Sequence, residues 1–165
     1  MPDNETLSIF EVHILDVCCK IEETCASIYR YFSKLYEDTP KTRALWVKTA
    51  MEEESHAEQF RLASRLRGSG MGSLKTDIYN TKLLLAKIQS IYDGVQKSPP
   101  PLKESLRFAI KMEQAMAVYH MNSIIIYKDE NLERLFKSMM GCDKQHIKML
   151  ENAFNELCND HGNAS

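Results

Sequence analysis

The sequence predicts an all-α protein, a four-helix bundle with a long crossover that contains a shorter helix. Two observations indicate this class. The 165-residue chain contains only six Gly and five Pro, and these breakers cluster, which leaves long helix-forming stretches between them. Within four of these stretches, apolar residues recur at alternating steps of three and four, the spacing of one buried helix face. Residues 1–165 are therefore expected to form a single domain.

The first two predicted helices form the first half of the bundle. The first covers about Glu5 to Glu37. The second covers about Pro40 to Arg67, because Thr39 can cap it and Pro40 suits a first helical position. The buried face of the first helix follows Leu15, Cys18, Glu22, Cys25, Tyr29, Phe32 and Tyr36. The buried face of the second follows Trp46, Thr49, Glu53, His56, Phe60 and Ala63.

Three further helices are predicted, at about Leu74 to Asp93, Leu102 to Tyr127 and Leu132 to Asn159. The breaks before them are a glycine-rich segment at Gly68 to Gly72, a rigid stop at Ser98 to Pro101 and a break near Lys128 to Asn131. The buried face of the fourth helix follows Leu106, Ala109, Glu113, Met116 and His120. That of the last helix follows Leu132, Phe136, Met139, Asp143, His146, Leu150, Ala153 and Leu157.

Composition excludes several functional classes. The net charge is −2, so no basic field recruits nucleic acid or an anionic membrane surface. The longest apolar runs, such as Ile124-Ile125-Ile126, are far shorter than a membrane span, and no signal-like segment opens the chain. Five scattered cysteines form no C-x-x-C pair, which argues against a zinc ribbon or a rubredoxin-type iron centre. The sequence therefore predicts a cytoplasmic protein that binds neither nucleic acid nor membrane.

Ionisable residues interrupt the apolar faces at matched positions in the two halves. Each half supplies a lone Glu on one helix and a carboxylate–histidine pair, three residues apart, on the next. These residues are Glu22, Glu53 and His56 in the first half, and Glu113, Asp143 and His146 in the second. A buried carboxylate is costly unless it is paired or bound to a metal. Four carboxylates and two imidazoles, brought to one level of the core, suit two divalent ions.

The run Glu22-Glu23-Thr24-Cys25-Ala26-Ser27-Ile28-Tyr29-Arg30-Tyr31-Phe32, followed by Glu53-Glu54-Ser55-His56-Ala57, resembles the rubrerythrin branch of the ferritin-like superfamily. The resemblance covers essentially the whole chain. It implies a ferritin-like bundle, a di-iron carboxylate site, peroxide or dioxygen as the oxidant, and a homodimer. By position it implies metal-ligand roles for six residues: Glu22, Glu53, His56, Glu113, Asp143 and His146. It also implies that Tyr29 is the tyrosine that lies behind the ligands.

The chain departs from the family pattern at three points. It has no cysteines for a rubredoxin-like domain, so a separate electron-donor protein is expected. Met116 stands where rubrerythrins tend to have a second Glu after the third-helix ligand, which puts their redox-linked ligand exchange in question. Asp143 stands where Glu is usual, and its shorter side chain is expected to loosen one metal position.

The predicted function is an oxidoreductase that reduces peroxide or dioxygen at two ferrous ions, although manganese or zinc would also accept this ligand set. Two alternatives stay open. One is iron handling, as a ferroxidase or store. The other is a helical binding or structural module with a vestigial metal site.

Several neighbouring residues receive ordinary structural interpretations. Glu22, not Glu23, is placed inward. The acidic residues expected on a solvated face are Glu23, Glu52, Glu54 and Glu58. Cys18 and Cys25 are interpreted as small core residues, and His120 as a core or end-of-bundle histidine rather than a ligand.

Overall fold

A computed structural model describes residues 9–65, 71–74, 77–122, 125–127 and 130–162. Within these ranges lie five helices: α1 (Ile9–Leu35), α2 (Pro40–Arg65), α3 (Ile78–Lys97), α4 (Leu102–Asn122) and α5 (Glu130–Gly162). Two short strands, β1 (Met71–Leu74) and β2 (Ile125–Tyr127), accompany them. The all-α class and the five predicted helices are confirmed. The predicted start of the first helix and the end of the second lie outside the described residues.

Local sequence explains where α2 and α3 begin. Pro40 opens α2 as predicted, and the Thr39 carbonyl accepts a hydrogen bond from the Arg43 amide at 2.8 Å. Asp77 caps α3, because its side chain accepts a hydrogen bond from the backbone amide of Asn80 at 2.8 Å. This cap starts α3 four residues after the predicted Leu74, and the helix continues to Lys97, just before the proline run.

Helices α1 and α2 form one antiparallel hairpin, and α4 and α5 form the other. The hairpins pack with their apolar faces together. Helix α1 meets α4 where the rings of Phe32 and Phe108 lie edge to face, and just after α1 Tyr36 Oη lies 2.6 Å from Ser105 Oγ. The largest fully buried side chains of this core are Trp46, Tyr29, Phe32, Leu15, Ile21, Ile28, Ile88, Leu106 and Leu150. The arrangement is that of a helical bundle.

Helix α3 carries the chain along the outside of α1 and forms the predicted crossover. Ile78, at its start, packs against the core cluster that contains Val12 near the start of α1. Ile88 is buried in the main core. Because α3 returns the chain to the end of the bundle where α2 began, α4 starts there as well.

The two strands correct the sequence prediction. Strand β1 pairs antiparallel with β2, with Met71 opposite Tyr127 and Leu74 opposite Ile125. The sequence predicts a loop and the start of a helix for the first segment, and the end of the fourth helix for the second. Both segments leave the same end of the bundle, and β-branched isoleucines favour an extended, paired backbone there. Helix α4 therefore ends at Asn122 and not at Tyr127.

No helix among the described residues is both long and apolar enough to cross a membrane.

Candidate metal centre

The six predicted ligand residues are all buried, and they come from the four bundle helices. Their exposed fractions are 0% for Glu22 and His146, 2% for His56, Glu113 and Asp143, and 4% for Glu53. The predicted inward phase of every one is confirmed. On α1 the phase is unambiguous, because the side chain of the neighbouring Glu23 is 50% exposed and pairs with Arg61.

Glu53 lies between the two imidazoles. Its Oε2 atom is 3.1 Å from His56 Nδ1, and its Oε1 atom is 3.2 Å from His146 Nδ1. The centroids of the two rings are 6.2 Å apart. One carboxylate therefore contacts a histidine from each half of the chain, one with each oxygen.

Two groups of potential ligands share this carboxylate. The first group is Glu22, Glu53 and His56, and the second is Glu53, Glu113 and His146. Within each group, one ligand atom from every residue lies within 4.8 Å of the others. Each group combines one imidazole with two carboxylates, a donor set that suits borderline divalent ions.

Asp143 is buried beside these groups but belongs to neither of them. Its charge nevertheless acts on the site: burial and the carboxylates of Glu22, Glu53, Glu113 and Asp143 raise the pKa of the Cys25 thiol well above its ordinary value. Gly141, two residues before Asp143, lies on the exposed face of α5, and a Cβ atom placed there would have nothing within 4 Å. The structure thus places Asp143 at the site, buried beside the two groups of potential ligands.

Tyr29 contacts the site as its position suggested. Its side chain is fully buried, and its hydroxyl donates a hydrogen bond to Glu113 Oε1. Its ring stacks on Trp46 with the centroids 5.8 Å apart. Burial and the charge of Glu113 raise the pKa of Tyr29 well above its ordinary value, so the hydroxyl stays protonated and remains a donor.

Protonated histidines offset part of the negative charge of this cluster when no metal is bound. Burial alone would lower the pKa of both histidines, but Glu53 and Glu22 raise that of His56 to about 9. Glu113 and Glu53 raise that of His146 to about 11. Burial would raise the pKa of Glu53, yet hydrogen bonds from His146 and His56 bring it below its ordinary value. Burial and the charge of Glu53 raise the pKa of Glu113. The buried carboxylates are thus already arranged around two positive groups.

Two further residues contact the histidines, and sequence reasoning missed both. Glu52 Oε2 lies 2.6 Å from His146 Nε2, and the Glu52 side chain is only 30% exposed. The interpretation of Glu52 as a solvated residue was wrong, because its side chain points toward α5. The other three acidic residues, Glu23, Glu54 and Glu58, are exposed as predicted. The side chain of Cys142 interacts with His56 and adds to the rise in the pKa of that histidine.

The interpretation of the two cysteines as core residues is confirmed. Cys18 and Cys25 are buried, and Met116 is a core residue with 4% exposure. The His120 side chain lies outside the described part of the structure, so its interpretation stays a prediction.

Comparisons of this chain with protein-family models, curated proteins and solved structures find no match. A functional interpretation therefore depends on the geometry above and on the residues that resemble rubrerythrins.

Proposed function

We propose that this chain is a rubrerythrin-like di-iron carboxylate protein with a ferritin-like bundle, an oxidoreductase that reduces peroxide or dioxygen. One observation carries the proposal: Glu53 is shared by two groups that each contain a histidine and a further carboxylate. A carboxylate whose two oxygens face different imidazoles is arranged to bridge two cations, as in bundles that bind a metal pair between facing helices.

The donor set and its spacing support two metal positions. Ligands bound at about 2 Å from one ion lie within about 4 Å of each other. The ligand atoms of each group, within 4.8 Å of one another, need only a small contraction to reach this spacing. Oxygen and imidazole donors accept iron, manganese and zinc, and of these iron or manganese would supply redox chemistry when bound.

The surrounding residues fit a reaction with a small oxidant. The six ligand candidates are at most 4% exposed, so only a small molecule reaches them without a large movement of the helices. Tyr29 holds one oxygen of Glu113, while the other oxygen lies 3.3 Å from His146 Nδ1. This hydrogen bond orients the carboxylate and keeps a proton donor at the site. A separate electron-donor protein, a homodimer and a cytoplasmic location remain part of the proposal.

Metal analysis tests the proposal. Protein purified without oxygen from iron-replete cells is expected to contain about two iron ions per chain, and to consume peroxide or dioxygen with a change in its iron absorption. Glu53→Gln is expected to lose metal at both positions, whereas Glu23→Gln, on the exposed face, should match the unmodified protein.

The same measurements separate the alternatives. Iron loading far beyond two ions per chain, in a large assembly, would favour iron storage. Well-folded protein with little metal and no turnover would contradict the proposal and favour a structural module.

A further inference from the structure

The imidazole of His146 is contacted through both of its nitrogens. Nδ1 faces the cluster, 3.2 Å from Glu53 Oε1 and 3.3 Å from Glu113 Oε2. Nε2 faces the other way and lies 2.6 Å from Glu52 Oε2. Because the two ring nitrogens point in divergent directions, Glu52 lies behind the ring and outside the shared group of Glu53, Glu113 and His146.

A carboxylate behind a histidine has a defined effect on the metal-facing side. It accepts the hydrogen of one ring nitrogen, which leaves the lone pair on the other nitrogen to face the cation. It also holds the ring plane and makes the imidazole a stronger donor. The short contact between Glu52 and His146 Nε2 provides this support for Nδ1.

We propose that Glu52 is a positioning residue for His146, which fixes the ring with Nε2 protonated and presents Nδ1 to a metal held with Glu53 and Glu113. This inference builds on the proposed metal site. It gives Glu52, a partly exposed carboxylate, a role in the metal affinity of one of the two positions.

The local alternative, an ion pair with Lys48, is weaker. Lys48 Nζ lies 3.9 Å from Glu52 Oε1, and the two side chains are 55% and 30% exposed. Exposed pairs of this kind contribute little to stability. The contact with His146 is much shorter, and the His146 side chain is only 1% exposed, so the carboxylate is oriented by the histidine.

The contact of Glu52 is with one of the two histidines. Glu52 Oε2 lies 2.6 Å from His146 Nε2, whereas His56 Nδ1 lies 3.1 Å from Glu53 Oε2 and 3.9 Å from Glu22 Oε2. Removal of Glu52 should therefore weaken the His146 position and leave the His56 position intact.

The test compares Glu52→Ala and Glu52→Gln with two controls. Lys48→Ala removes the local ion pair. Glu54→Ala removes an exposed carboxylate two residues along α2, which pairs with Arg30 at 2.8 Å. Cobalt titration gives the affinities, and anomalous diffraction at limiting cobalt assigns each affinity to a position. Melting curves of all variants show that they fold.

Glu52→Ala is expected to weaken cobalt binding at the His146 position by about 10- to 100-fold, with the His56 position unchanged. Glu52→Gln should lose less, because its amide oxygen still accepts the Nε2 hydrogen. Both controls should bind like the unmodified protein. Equal binding by Glu52→Ala and the unmodified protein, or an equal loss at both positions, would overturn the inference.

A metal-free measurement separates this inference from the proposed function. In crystal structures of the metal-free proteins, the His146 ring is expected to keep its orientation in Glu52→Gln and to lose it in Glu52→Ala. If the unmodified protein binds no metal but the ring still depends on Glu52, the proposed function fails and the positioning role stands. An unchanged ring in Glu52→Ala would refute the positioning role itself.

Discussion

Tyr29 on α1 donates a hydrogen bond to Glu113 on α4, a residue 84 positions later in the chain. The ring that makes this contact stacks on Trp46 of α2, so three helices meet at Tyr29. A ligand candidate from the second hairpin is thereby fixed by the aromatic core of the first. The geometry of the site depends on how the two hairpins pack, because the residue that orients Glu113 is itself held by core contacts.

Tyr29→Phe should isolate the contribution of this hydrogen bond, since it keeps the ring and removes only the hydroxyl. A buried hydrogen bond to a carboxylate contributes about 1.5–3 kcal/mol. We expect the metal-free variant to lose stability in this range, and the metal-loaded variant to react more slowly with peroxide. Urea unfolding and stopped-flow absorption measure the two effects. Tyr31→Phe, on a half-buried neighbour of the same helix, is the control, and equal losses in both variants would contradict a specific role for Tyr29.

The register of α1 gives a matched pair of variants. Glu22→Ala removes a fully buried carboxylate that lies 3.9 Å from His56 Nδ1, so it is expected to lower metal content. Glu23→Ala removes the adjacent, half-exposed carboxylate and should be nearly neutral. Metal content after identical purification decides between them. A greater loss of metal in Glu23→Ala than in Glu22→Ala would contradict the structure of α1.

The buried positions of this site were predictable because helical periodicity places them. A step of three or four residues fixes which face a side chain occupies, so Glu22 and His146 could be placed inward from the sequence alone. The contact between Glu52 and His146 could not be predicted in this way, since it joins residues 94 positions apart and depends on the rotation of α2 against α5. The pairing of Met71–Leu74 with Ile125–Tyr127 was not predicted either, because these segments are also far apart in the sequence.

The stability of the metal-free protein should depend on pH through its two buried histidines. Their pKa values rise from 6.5 to about 9 for His56 and about 11 for His146. Raised folded-state pKa values stabilise the fold below pH 6.5, and this stabilisation is lost as the pH rises through 9 and 11. The raised pKa of Glu113 acts in the same direction. The lowered pKa of Glu53 acts oppositely, and its contribution is lost as the pH falls below 4.5.

Urea unfolding of the chelated protein at about pH 7 and about pH 10 measures this slope. The midpoint is expected to be lower at the higher pH. The double variant His56→Gln/His146→Gln should flatten the difference between the two conditions. If the midpoint of the unmodified protein is the same at both pH values, the pKa values of the histidines are not raised by folding.

Chelation should lower the melting temperature near neutral pH. Metal that binds only the folded state adds RT ln(1 + [L]/Kd), about 4 kcal/mol at a thousandfold excess over Kd. We expect a decrease of several degrees, measured by calorimetry with and without chelator. Glu53→Gln, which lacks the shared ligand, is the control and should show a much smaller difference. Superimposable curves for the unmodified protein would argue against a buried metal site.

Asp143 is the residue at which the two halves of the site differ most. It corresponds on α5 to Glu53 on α2, but it stops one methylene short, a difference in reach of about 1.3–1.5 Å. Metal–oxygen bonds near 2 Å tolerate little of that error. Gly141 lies on the exposed face of α5, and Asp143 belongs to neither group of potential ligands. We therefore expect Asp143 to bind one metal rather than bridge two.

The metal held by His146 should then be the weaker and more exchangeable of the pair, even with Glu52 behind its ligand. Asp143→Glu is expected to raise occupancy at the His146 position and to leave the His56 position unchanged, because the longer side chain can reach both ions. Anomalous diffraction of the two proteins soaked in limiting metal gives the occupancy of each position. When Glu52→Ala is added to Asp143→Glu, the metal occupancy of the His146 position should fall again, since the two changes act on the same ion. Full and equal occupancy at both positions of the unmodified protein would show that the backbone already compensates for the missing methylene.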